Sequence, residues 1–202
     1  VHVSRYEITY EPIHDRKYKR LPQKVKDALE RLHYESQKNP RKAIPELEEW
    51  LKEYPQIPMF YNYLSVAYSR MGEDKKAEEI TKQNIQKNPD YLFAKLNYAE
   101  LFMARGEYEK IAEIFDYKFD LKMLYPNRKR FHISEIANFM GVVGVYFYEI
   151  GEREAAEKHY EILREIAPSY LMTKRLKRRL KPGIFLRLMR RLIDALDIGE
   201  NE

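Results

Sequence analysis

Residues 59–89 read MFYNYLSVAYSRMGEDKKAEEITKQNIQKNP, and Tyr61, Leu64, Tyr68, Gly72, Ala77 and Pro89 within them set a frame for the whole chain. Tyr61, Leu64 and Tyr68 fall three, four and seven residues apart, the spacing of one apolar stripe on a helix. Gly72 ends that helix, because a left-handed residue costs least at glycine. Ala77 is small enough to let a second helix approach the first. Pro89 stops the second helix, having no N–H to continue it. The stretch reads as a helical hairpin.

The same pattern returns 34 residues later around Gly106, with Tyr98, Ala99, Phe102 and Phe115 in frame, although the proline offset there falls on Met123. One period earlier, Ala43, Leu47, Trp50 and Pro55 occupy the second-helix and closing offsets, and Tyr34 takes the aromatic offset of a weaker first helix. A fourth unit surrounds Gly151, with Val143, Gly144, Phe147, Ala156, Tyr160, Leu163 and Pro168 in place. Gly106 and Gly151 are 45 residues apart, so 11 residues are inserted, and the stretch between Asp116 and Ser134 is where they are expected. Ser134 is the expected N-cap of the helix that follows. The insertion is either a loop belonging to a binding face or a lengthened helix with a longer connection.

A 34-residue period of paired amphipathic helices predicts an all-α helical-hairpin solenoid. On the residues quoted, the chain resembles the tetratricopeptide repeat family over residues 22–168. The expected units are 22–57, 58–91, 92–133 with the insertion, and 134–168, preceded by an arm over 1–20 and followed by a basic cap over 169–202. The resemblance implies a right-handed superhelix whose first helices line a concave groove for peptides or proteins. By that family's groove positions, repeat two contributes Met59, Asn62, Val66, Ser69 and Arg70. Repeat three contributes Phe93, Leu96, Glu100, Met103 and Ala104. Repeat four contributes Asn138, Gly141, Val145, Tyr148 and Glu149. A mostly apolar groove of this kind calls for a cover: a partner's helix, an extended peptide, a second copy in a homodimer, or the chain's own ends. Asn62 and Asn138 are expected to bond a ligand's backbone. The chaperone-clamp version of the family needs lysines, arginine and asparagines at offsets that here hold Ala28, Leu32, Tyr63, Phe93 and Asn97, or Asn62, Val66, Asn97, Asn138 and Val142. Only Asn97 matches, so a carboxylate clamp is not expected.

Composition sets further bounds. At 202 residues and 44% hydrophobic, the chain suffices for one array, and charged residues make up 34% because each helix keeps a solvated face. No apolar run is long enough to span a bilayer. The absence of cysteine excludes disulfides, and with no signal-like start a cytoplasmic location is the expectation. The five histidines show no metal-ligand spacing, no glycine-rich phosphate loop occurs, and the Glu46, Glu48 and Glu49 run reads as a solvated helix face. A non-enzymatic protein without cofactor or small-molecule substrate is therefore expected. Gly141 and Gly144 read as points of close helix crossing. His132, beside Arg128, Lys129 and Arg130, reads as exposed, with anion contact as the alternative.

The net charge of +5 is segregated. Nine basic residues and no acid lie between 174 and 191: Lys174, Arg175, Lys177, Arg178, Arg179, Lys181, Arg187, Arg190 and Arg191. The rest of the chain has 28 basic against 32 acidic side chains. Two helices separated by Lys181-Pro182-Gly183 are expected here, the second carrying Phe185, Leu188, Met189, Leu192, Ile193 and Leu196 on one side. Three readings stand: a capping end, a helix that docks on a partner or on anionic lipid, and a sequence-independent contact with RNA or the ribosome. At the other end, the alternating VHVSRYEITYEPI reads as an extended arm, a short strand or a tail, with insertion into the groove as an option.

Overall fold

Helical hairpins arise where the glycine frame places them. The computed structural model describes residues 6–13 and 16–181. After strand β1 (Glu7–Thr9) and a single turn α1 (Arg16–Lys19), the first hairpin is α2 (Gln23–Lys38) and α3 (Pro40–Glu53). The second is α4 (Pro58–Arg70) and α5 (Asp74–Lys87), and the third α6 (Leu92–Arg105) and the short α7 (Glu109–Ile114). The insertion holds α8 (Leu121–Leu124) and strand β2 (Arg130–His132), before a fourth hairpin of α9 (Ile133–Glu149) and α10 (Arg153–Ile166). Helix α11 (Leu171–Leu180) follows. First helices pack side by side, α2 on α4, α4 on α6 and α6 on α9, each also packing on its own second helix, and α11 packs on α9 and α10. This is an all-α helical-repeat solenoid.

The glycines act as the frame requires. Gly72, Gly106 and Gly151 have φ of 75°, 73° and 88°. Glu73 N–H donates to Tyr68 O at 2.9 Å and Glu107 N–H to Phe102 O at 3.0 Å, closing carbonyls that the helix ends leave free. Pro40 and Pro58 open α3 and α5's partner α4 from within the first turn, where the missing N–H has no intrahelical role. Ala43, Ala77, Ala99 and Ala156 are buried at the hairpin contacts. Tyr61 is buried, and its hydroxyl donates to Pro55 O at 2.9 Å, tying the helix to the loop before it.

Repeat one departs from the expected frame. Tyr34 is 66% exposed, and Val25, Ala28, Leu29 and Leu32 are the buried apolar side chains of α2. Val25, Ala28 and Leu32 lie 36 residues before Tyr61, Leu64 and Tyr68. Helix α2 runs on to Lys38, and Asn39 alone separates it from α3. Without a glycine to stop the first helix early, its buried stripe slides by two residues against the second.

The insertion and the start of the arm make one unit. Helix α7 stops after six residues, followed by Asp116 and Tyr117 at φ 51° and 56°. Strand β1 pairs in parallel with β2, Glu7 opposite Arg130, Ile8 opposite Phe131 and Thr9 opposite His132. Tyr6 packs edge-on against the buried Phe131 with ring centroids 5.1 Å apart, and Arg130 meets Glu7 at 3.0 Å. Residues 6–10 thus sit on the insertion, while Tyr18 of α1 packs against the core of repeats one and two. The expected N-cap Ser134 is displaced by His132, whose Nδ1 accepts from Ser134 N–H at 3.2 Å while Glu135 accepts from His132 N–H at 2.9 Å. Arg128 holds both Glu135 oxygens, at 2.9 and 2.8 Å. His132 is therefore a structural cap, and the cations beside it at 128 and 130 already have carboxylate partners.

The core is in two parts. One joins repeats one and two, including Leu32, Leu47, Phe60 and Leu64, and the other joins repeats three and four with α11, including Leu96, Ile111, Phe139 and Leu176. Between them lies a polar seam. The buried Asn84 donates to Asn62 Oδ1 at 2.7 Å and to Pro58 O at 3.2 Å, and accepts from Asn88 at 3.0 Å. Asn97 of α6 donates to the same Asn62 oxygen at 3.1 Å. Thr81, also buried, bonds Ala77 O and Ser65 at 2.8 Å each. No buried side-chain polar atom among the described residues lacks a partner, as a desolvated seam requires.

Candidate interaction groove

The first helices form the surface on which the groove positions fall, and the structure divides that surface into a covered half and an open half. Over repeats three and four, α11 provides the cover. It runs parallel to α9: Met172 lies against Gly141, Leu176 against Gly144, and Arg179 bonds Glu149 at 2.6 Å. Arg175 reaches across to Glu100 of α6, also at 2.6 Å. The two glycines are what allow this approach. A Cβ at 144 would sit 2.5 Å from Leu176 Cδ2, and one at 141 would collide with the Met172 Cβ.

The expected groove residues separate accordingly. Leu96 and Met103 are each 3% exposed and Val145 is fully buried, so they belong to the core between α6, α9 and α11 and line no open surface. Gly141 is buried under Met172. Asn62 accepts from two asparagines of the seam, and Asn138 donates to Ser134 O at 2.8 Å, so the bonds foreseen for a ligand's backbone go to the fold itself. Glu100 and Glu149 hold the α11 arginines. Met59, Phe93 and Tyr148 are half-buried, with Phe93 packed near Tyr91 at 5.9 Å between centroids. Val66, Ser69, Arg70 and Ala104 are exposed.

The open half was partly missed in the sequence. Sliding α2 by two residues aligns Glu30, His33 and Tyr34 with Val66, Ser69 and Arg70, and all six are exposed. The His33 ring lies 5.1 Å from Tyr34 and 5.4 Å from Tyr63 of α4, forming an aromatic step between α2 and α4. Burial pushes the Tyr63 hydroxyl up to about 12, so it stays a neutral donor at any ordinary pH. This surface mixes rings, an aliphatic side chain, one arginine and one carboxylate, where a mostly apolar lining was expected. The break in the 34-residue period between Tyr61 and the nearest apolar stripe of α2 was the signal that locates it.

The basic residues divide too. Arg175 and Arg179 face inward on carboxylates, while Lys174, Lys177, Arg178 and Lys181 are exposed. Arg187, Arg190 and Arg191, and the apolar face expected from Phe185 to Leu196, lie outside the described residues. Among the described residues, no group of three or more His, Asp or Glu is placed to hold a metal ion, and no helix is long and apolar enough to cross a membrane.

Comparison with known proteins agrees with the architecture. The chain is 33% identical over 84 residues to the TPR repeat-containing protein YvcD of Bacillus subtilis (strain 168). That match spans 42% of this chain and 17% of the relative's length. No family model matches the chain.

Proposed function

We propose that this protein is a non-enzymatic interaction scaffold that binds a partner's peptide on the open half of its first-helix surface, between α2, α4 and α6. The observation that carries this reading is the pairing of an exposed aromatic and aliphatic step, Tyr34 at 66% and Val66 at 36% exposure, with the neighbouring Arg70. The covered half supports this reading. Helix α11 lays Met172 and Leu176 into notches at small residues and sets arginines on Glu100 and Glu149. A helical or extended segment with an apolar anchor suits the open half, whose exposed residues are Tyr34 and Val66 together with Glu30, His33 and Arg70.

The test is affinity capture with the wild-type protein, a Tyr34→Ala/Val66→Asp/Arg70→Glu variant, and a Lys52→Glu control on α3. All altered groove residues are exposed, so the fold is retained. The expected result is a set of partners held by wild type and the control and lost from the groove variant. An identical set from all three refutes the reading. Leu96→Ala is unsuitable for this purpose, since truncating a buried leucine costs about 2–5 kcal/mol of stability regardless of binding.

A further inference from the structure

The outer face of α11 differs from the other solvated helix faces. On α3, α5, α7 and α10, exposed lysines sit one turn from a carboxylate: Lys52 with Glu49, Lys82 with Glu78, Lys110 with Glu113, Lys158 with Glu154. Helix α11 contains no acid. Its inward side is satisfied by Met172, Thr173, Leu176 and Leu180 in the core and by the two arginine–glutamate pairs. Its outward side presents Leu171, Lys174, Lys177 and Arg178, with Lys181 just past its end, a row two residues wide at Lys177 and Arg178 that runs along one side of the helix. Leu171 is 72% exposed. Lys181 lies over the Tyr160 ring at 5.8 Å, and Lys174, Lys177 and Arg178 have no carboxylate within ion-pair distance among the described residues.

From this arrangement we infer that α11 docks the array on an anionic lipid surface. The row is straight, about 15 Å long at 1.5 Å per residue, and suits a flat layer of charge. Its apolar member, Leu171, is the kind of side chain that enters the headgroup boundary while flanking lysines stay among phosphates. No aromatic ring stands in the row to stack on a base, as single-stranded nucleic acid binding uses. The surface lies on a different helix from the open groove.

The experiment is flotation of the full chain with vesicles of phosphatidylcholine and phosphatidylglycerol in equal parts, against vesicles of phosphatidylcholine alone. Binding is expected only to the anionic vesicles and is expected to fall as salt is raised. Each cation near such a surface contributes about fivefold in affinity, so Lys174→Glu/Lys177→Glu/Arg178→Glu together should lower binding by about a hundredfold or more. A circular-dichroism melt unchanged from wild type shows that this variant is folded. The Tyr34→Ala/Val66→Asp/Arg70→Glu variant should float like wild type, which separates this site from the groove. Undiminished flotation of the α11 variant, equal binding to neutral vesicles, or tighter retention by a single-stranded RNA homopolymer than by the anionic vesicles overturns the inference.

Discussion

Replacing Gly141 by alanine sets two physical effects against each other, and the structure decides the sign. In a helix interior, alanine is favoured over glycine by about 1 kcal/mol, so a surface reading predicts a stabilised protein. Here the new Cβ would meet the Met172 Cβ and come within 3.4 Å of its backbone carbonyl carbon. A Cβ cannot rotate away, so α11 itself must move. Overpacking of this kind costs about 1–3 kcal/mol, and the upper end applies because the obstacle is tethered to backbone. The displacement also loosens Leu176 and Leu180 in the same core. The expected balance is a loss of about 2 kcal/mol, which for a chain of this size lowers the melting temperature by about 4–8 °C. Gly144→Ala should cost less, since its first contact is the mobile end of Leu176. Thermal melts of wild type and both variants give the order, and hydrogen exchange over residues 171–180 locates the change. If Gly141→Ala is as stable as wild type or more so, α11 does not pack on α9 as described.

Other expectations follow from the seam, the Arg175–Glu100 pair and one buried histidine. Asn84→Ala removes the amide that joins Asn62, Pro58 and Asn88, and should cost about 2 kcal/mol in urea unfolding. The Arg175–Glu100 pair is partly exposed, so a double-mutant cycle with Arg175→Gln and Glu100→Gln should return a coupling of about 0.5–1 kcal/mol, falling with salt. Burial pushes the His159 imidazole below its ordinary range, against a smaller opposing effect from its hydrogen bond to Ala155 O at 2.8 Å. The unfolded chain then takes up a proton at a pH where the folded one does not. Stability is full above about 6.5 and falls as pH drops from there to the lowered folded value. His159→Gln, which keeps an amide donor for Ala155, should flatten that slope, and a slope unchanged in pH-dependent melts assigns it to other groups.

What the sequence determined by itself was the hairpin array. Gly72, Gly106 and Gly151 each adopt positive φ at their predicted turns, and Ala77, Ala156 and the aromatics at Tyr61 and Phe115 are buried as the frame requires. These are local properties, a helix period and a turn that favours glycine, and they are written into short stretches of chain. The small pair at Gly141 and Gly144 was likewise legible as a helix crossing, though not the identity of the helix that crosses there.

Tertiary structure alone decided which side chains face open solvent. Family offsets placed Leu96, Met103 and Val145 in a groove, yet they are buried in the core cluster that α6, α7, α9, α10 and α11 share. The two-residue slide of α2, which sets His33 against Tyr63, depends on how α2 seats on α4. The partition of the basic run, Arg175 and Arg179 inward and Lys174, Lys177 and Arg178 outward, required knowing that Glu100 and Glu149 stand beneath it. Each of these outcomes joins residues distant in the chain, and a local period carries no record of which surfaces meet.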